Sequence, residues 1–380
     1  MIYLDYSATT PVSLEVLDVM NKTTKDFIGN ANSLNALGLK SKDLMNSATK
    51  QIANLFSVLE SELTYTSSST ESNNLALIGY ALANYKKGKH LIVSKLEHPS
   101  IYAICDYLVT LGFEISYVNN DSDGLIDFEH LKKLMREDTI LVSVCAVNSE
   151  VGVRQPLKMI RQIIKKINSN TVLHSDMTQA IGKTSISLHD VDMASISSHK
   201  IFGPKGIALF YKNSQITVKP LIYGSGKSNE LKPGTPPLPL IVGFSKALRL
   251  ATDDLEKKEK YIGLLNDRLC KKFATMDGIL INKTKYSIPH ILNISLMNVK
   301  PETFIRALDN DAVYISTNTA CSSGELSSSV MAIYNDLKRA THTIRISLAS
   351  ITTSEEITKF IEIFEKNYHM LNTLLAKEEK

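Results

Sequence analysis

The chain has 380 residues, 43% of them hydrophobic, and its 43 Lys and Arg stand against 39 Asp and Glu for a formal net charge of +4. That length suggests two domains, or one large and one small, with ample apolar material for a core. So balanced a charge offers no case for nucleic-acid binding. No run of about 18 apolar residues marks a membrane span. Cys105, Cys145, Cys270 and Cys321 are widely spaced without a Cys-x-x-Cys pair, which argues against a zinc site or a disulfide scaffold. The stretch from Met1 to Asp5 lacks the basic region and cleavage pattern of a signal peptide. A reduced, cytoplasmic protein is therefore expected.

In chain order, Ile2 to Tyr6 reads as a short extended segment ended by Ala8-Thr9-Thr10-Pro11. A helix is expected from about Ser13, with Val16, Leu17 and Met20 at helical spacing. An amide-rich loop containing Asn30 and Asn35 follows, and helical periodicity returns over 41–56. Residues 63–66 read as a strand, followed by Ser67-Ser68-Ser69-Thr70-Glu71 and a helix over 72–87 closed by Gly88. Apolar runs at 91–93, 115–118, 140–147, 172–173 and 194–196 then alternate with helical segments, notably 127–135 and 157–167. That alternation predicts an α/β fold, a mostly parallel sheet covered on both faces. A long amphipathic helix over 241–269 leads to a smaller α+β region with short strands and a closing helix over 354–377. The expected division is a large domain of 15–253 and a small one of 1–14 with 254–380.

Ligands of such sheets bind outside the carboxyl ends of the strands. His98, Asn148-Ser149, Asp176 and the run Ser197-Ser198-His199-Lys200 all fall just after predicted strand ends. This coincidence argues for one shared site. A lysine fixed there can form a Schiff base with an aldehyde cofactor, with Ser and His holding that cofactor's phosphate. Asp176 suits either pairing with a protonated pyridine nitrogen or capping the next helix. Beside Lys200 the pyridinium reading is preferred.

Tyr3-Leu4-Asp5-Tyr6-Ser7-Ala8-Thr9-Thr10-Pro11, Thr70-Glu71-Ser72-Asn73-Asn74, Glu97-His98, Asp176-x-Thr178-Gln179 and Ser197-x-His199-Lys200-x-x-Gly203-Pro204-Lys205-Gly206 resemble the NifS/IscS-type cysteine desulfurases. These are pyridoxal 5'-phosphate enzymes of the class V aminotransferase family, fold type I, with a seven-stranded type of sheet. The resemblance spans nearly the whole chain in order. It implies Lys200 as the Schiff-base lysine and His98 as the residue stacked on the pyridine ring and assisting proton transfer. It implies Asp176 at the ring nitrogen, Gln179 and Ser149 near the phenolic oxygen, and Ser69, Thr70, Ser197 and His199 at the phosphate. Thr235, in Gly234-Thr235, would reach the phosphate of a neighbouring subunit, which implies a homodimer. Arg345 would hold the substrate carboxylate, with Asn30 and Asn35 on the substrate side.

Cys321 lies in Thr319-Ala320-Cys321-Ser322-Ser323-Gly324-Glu325, a segment whose composition predicts a mobile loop. A thiolate there would take sulfur from L-cysteine as a persulfide, for an iron–sulfur scaffold or another sulfur acceptor. The other three cysteines lie in apolar runs and read as core. The chain departs from the family pattern at Ser68, Ser149, Asn35 and Lys232. Competing readings are another class V enzyme, a selenocysteine lyase or an aminotransferase, and a non-catalytic scaffold. Cys321 speaks against the aminotransferase, and the retention of Lys200, Asp176, His98 and Arg345 against the scaffold.

Overall fold

A computed structural model describes residues 1–225, 230–317 and 326–378, with side chains as far as residue 373. Its strands are β1 (Ile2–Tyr3), β2 (Leu63–Thr66), β3 (His90–Ser94), β4 (Glu114–Val118), β5 (Thr139–Ser143), β6 (Val172–Asp176), β7 (Met193–Ser197), β8 (Ala208–Lys212), β9 (Ile279–Ile281), β10 (Ile291–Leu296), β11 (Val313–Tyr314) and β12 (Thr343–Ser347). Seven of them form one sheet in the order β2-β8-β7-β6-β5-β3-β4. All its neighbours are parallel except β8, which runs antiparallel to both β2 and β7. This is the mixed, mostly parallel sheet the alternation predicts.

Strands β3, β5, β6 and β7 are buried along their whole length. That is why they read as continuous apolar runs and not as alternating ones. Their alternate residues serve two cores. Ile92, Val142, Leu173 and Ala194 face one, and Leu91, Leu141, Val172 and Met193 face the other. Period-two side-chain alternation thus gives the sheet a helical layer on each face.

Two helix starts lie earlier than expected, each for a capping reason. Asn35 Oδ1 accepts from the Gly38 amide at 2.9 Å, so the second helix begins at once, as Ala36–Phe56. Ser68 caps the next helix through the Glu71 amide, so that helix begins at Ser69. It continues through one widened π turn, Leu75–Gly79, to Asn84. Gly88 does not cap that helix: its φ is not positive and the helix ends at Asn84, while a Cβ at Gly88 would overlap the Asp138 carbonyl.

The expected helix over 241–269 is two helices, Leu238–Thr252 and Leu255–Phe273. Asp254, at φ 49°, turns the chain between them. Apolar spacing continues through the break, but the two halves serve different cores. Ile241, Phe244 and Leu248 pack on the large sheet. Ile262, Leu265, Leu269 and Phe273 join a separate core around the three-stranded sheet β12-β10-β9. Ile2 and Leu4 also lie in that second core, and β1 pairs with β11. The first residues are thereby carried back across the carboxyl ends of the large sheet.

Candidate active site

A cavity of about 240 Å³ opens at those carboxyl ends. Its walls come from the segments following β2, β3, β5, β6 and β7 and from the crossing segment at Ser7-Ala8. Of the residues expected at the site, Ser69, Thr70, His98, Ser149, Asp176, Gln179, Ser197, His199, Lys200 and Arg345 line it together. Asn30 and Asn35 do not. Asn30 Oδ1 accepts from the Asn32 amide, and Asn35 is the helix cap already described. Thr235 lines a different cavity with Ser67, Lys232 and Gly234. Cys321 lies outside the described residues.

Lys200 follows β7 in a single turn of 3₁₀ helix. The turn is tight: a Cβ at Gly203 would overlap the Ser198 hydroxyl, and Phe202 sits at φ 62°. A non-glycine residue held there stores strain, as residues beside reactive groups often do. The crossing N-terminal segment secures the turn. Thr10 N donates to the His199 carbonyl at 2.9 Å, and Phe202 N donates to Thr10 Oγ1 at 2.7 Å. Lys200 Nζ donates to the Ser7 and Ala8 carbonyls at 2.7 and 2.6 Å.

Asp176, at the end of β6, uses both carboxylate oxygens. Oδ1 accepts from the Thr178 amide at 2.9 Å and Oδ2 from Asn73 Nδ2 at 2.9 Å. No helix follows Asp176, since residues 178–183 run as turns, so it caps none; the Thr178 bond closes a local turn, and the Asn73 bond fixes the group from across the cavity. Asn73 was not singled out from the sequence. The available signal was its place three residues after Thr70, on the same helix face. Gln179 donates through Nε2 to the Ser7 carbonyl at 2.9 Å, and its Oε1 accepts from Lys183 Nζ.

His98 caps the helix Pro99–Thr110. Its Nδ1 accepts from the Ser100 amide at 3.2 Å and lies 2.9 Å from the Ser100 hydroxyl. Burial, and then the Lys200 charge, hold its pKa below the ordinary histidine value against the pull of Asp176. His199 is pushed down to about 4 by burial and by Lys200, Lys205 and Lys183. Both rings are thus neutral near pH 7. The preceding Glu97 is buried at 4% exposure, and burial pushes its carboxyl up to about 8. Cys145, read as core, is buried, and burial raises its thiol pKa, yet it also borders the cavity. Arg345 is 1% exposed and donates to the Ser149 carbonyl at 3.0 Å, to Asp5 at 3.1 Å and to Ser316 Oγ at 3.3 Å. Its Nε has no partner.

The departures at the phosphate turn carry no backbone penalty. Ser68 is extended, at φ −162°, a conformation open to any residue. Lys232 pairs with Glu71 at 2.9 Å.

The sequence model of the family Aminotransferase class-V matches residues 2–360. The chain belongs to that family. It is 34% identical to the cysteine desulfurase IscS of Dictyoglomus turgidum, over 98% of this chain and 96% of that protein. It is 37% identical to the cysteine desulfurase IscS of Klebsiella pneumoniae, over 98% and 94%. A solved structure described as a NifS-like protein superposes with a TM-score of 0.93 at 34% identity, over 97% of this chain and all of that one.

The cofactor of this class V enzyme is pyridoxal 5'-phosphate, and the cavity's residues fit it. Ser69, Thr70, Ser197 and neutral His199 form a donor-rich end at a helix N-terminus, suited to a phosphate. A buried carboxylate, Asp176, suits a ring nitrogen, and an amine, Lys200, suits the aldehyde. Thr178 Oγ1 adds a buried hydroxyl without any partner on the same wall.

Proposed function

We infer that this chain is an L-cysteine desulfurase that moves the sulfur of cysteine onto Cys321 for iron–sulfur cluster or other sulfur-compound biosynthesis. The observation that carries the reading is the meeting of Lys200, Asp176, Gln179, His98 and Arg345 around one cavity, in a chain whose relatives are named cysteine desulfurases. Bound pyridoxal 5'-phosphate supplies an electron sink for the carbon skeleton of the substrate. Lys200 would hold the cofactor through its aldehyde. Asp176, fixed by Asn73 and the Thr178 amide, would present its carboxyl group to the ring nitrogen. Because the Ser100 amide donates to His98 Nδ1, the neutral ring carries its proton on Nε2, where it can donate a hydrogen bond. Arg345 holds the substrate carboxylate with a guanidinium that still has an unpartnered donor at Nε.

The Cys321 thiolate then attacks the substrate sulfur. An S–S bond forms, the C–S bond breaks, and its electron pair and a proton stay with the carbon skeleton. Cysteine and one enzyme thiol become alanine and one enzyme persulfide, with no external oxidant. The acceptor of that sulfur is a thiol or a scaffold protein. Thr235, outside this chain's own cavity, serves the partner's phosphate in a cytoplasmic homodimer. We divide the chain into a cofactor domain, 15–253, and a small domain, 1–14 with 254–380. Among the described residues no helix is long and apolar enough to cross a membrane.

The test separates binding from chemistry. Cys321→Ser should bind the cofactor and show the spectral change that cysteine induces, yet release almost no sulfide and trap no labelled persulfide. Normal turnover by that variant, or persulfide mapped to Cys105, Cys145 or Cys270, would overturn the assignment.

A further inference from the structure

Lys183 is a buried lysine that the reaction does not use. It lies four residues after Gln179 in the tight turns following β6, and its residue is 6% exposed. Its Nζ donates to Gln179 Oε1, and among the described residues no carboxylate forms an ion pair with it. The charges bearing on it are Lys200 and Arg345, and burial with both of them lowers its pKa. His290 shares with it the wall of a second cavity, which reaches the far side of Lys200. A buried amine among cations is costly, so its one hydrogen bond invites a reason.

The two polar contacts of Gln179 fix which way its amide points. The Ser7 carbonyl can only accept, so Nε2 must face it, and Oε1 then faces Lys183. Lys183 donates there whether or not it carries the extra proton. One N–H of Nε2 goes to Ser7, and the second remains for the cofactor cavity, which Gln179 lines. We propose that Lys183 is a positioning residue: it holds the Gln179 oxygen from below, so that a Gln179 N–H, and not its carbonyl, meets the cofactor's phenolic oxygen. This rests on the reading that Gln179 contacts the cofactor. Without Lys183, Oε1 would be a buried acceptor without a donor, and the side chain would turn its oxygen toward the wetter cavity.

The experiment titrates pyridoxal 5'-phosphate into apoprotein and follows the pH midpoint of the bound cofactor's visible absorbance. The proteins are wild type, Lys183→Met, Lys183→Gln, Gln179→Ala and the double variant Lys183→Met/Gln179→Ala. Met keeps the length of the buried lysine side chain and removes only its polar end, and unfolding midpoints check that each variant folds. Gln179→Ala and Lys183→Met should each weaken cofactor binding roughly fivefold, the worth of one hydrogen bond, and move the absorbance midpoint the same way. The double variant should be no worse than Gln179→Ala, and Lys183→Gln, which keeps a donor, should bind like wild type. If Gln179→Ala weakens binding but Lys183→Met does not, the inference falls and the Gln179 reading stands. It falls likewise if the two losses multiply, or if Lys183→Gln is as weak as Lys183→Met. An unchanged Gln179→Ala would overturn the Gln179 reading itself.

Discussion

Replacing Glu97 by Gln should make the protein more stable at alkaline pH and change little at acid pH. Glu97 is 4% exposed, directly before His98. Its Oε1 accepts from the Cys145 amide at 2.6 Å, while Oε2 has no partner. Burial is the main reason its pKa rises from 4.5 to about 8; the Asp176 charge adds to the rise and the Cys145 amide opposes it. In the unfolded chain the carboxyl loses its proton near 4.5, whereas in the folded one it keeps it until about 8. The unfolded state therefore binds fewer protons between those values, and stability falls as pH rises through them. About 3.5 pH units at about 1.4 kcal/mol each give a loss of about 5 kcal/mol by pH 8. Glutamine mimics the protonated acid and keeps an acceptor for the Cys145 amide. Urea unfolding of both proteins at a series of pH values gives the difference, in which other titrating groups cancel. The stability gap between Glu97→Gln and wild type should widen in favour of the variant as pH rises from about 5 to 8. A gap that stays flat, or narrows, would refute the buried, protonated carboxyl.

Two further predictions rest on contacts of the same kind. Asn73→Ala removes the donor 2.9 Å from Asp176 Oδ2. A hydrogen bond to a charged group is worth about 1.5–3 kcal/mol, so cofactor affinity, read by absorbance titration, should fall about tenfold or more; an unchanged affinity would count against Asp176 as the ring-nitrogen partner. His290 is buried, its Nδ1 has no partner, and burial and then Lys183 push its pKa down to about 3. The unfolded chain takes that proton near 6.5, so stability is full above that pH and is lost as pH falls toward 3. His290→Phe should reduce the loss measured between about pH 6.5 and 4.5 by about 3 kcal/mol, and an equal loss in both proteins would show that the ring is not held neutral.

Much of the fold was legible because its signals are local. Strands β3, β5, β6 and β7 announced themselves as short apolar runs between turn residues, and the helices Leu157–Ile167 and Leu14–Asp26 as periodic ones. The site was legible for the same reason, since residues just after parallel strand ends must gather on one edge. Capping moved two helix starts, and those caps were single side chains whose effect depends on a neighbouring amide. The break at Asp254 left no mark in the periodicity, because one amphipathic phase served two separate cores.

By itself the sequence determined that Lys200, Asp176 and His98 would share an edge, and which chemistry their side chains allow. Only the tertiary structure decided what holds them. Asn73 meets Asp176, the Ser7 and Ala8 carbonyls meet Lys200, and Asp5 meets Arg345 across long stretches of chain. It also decided that Glu97 is buried and that Lys183 donates to Gln179. A residue's type is local, but its burial and its partners depend on where the rest of the chain returns, and those set its charge and direction.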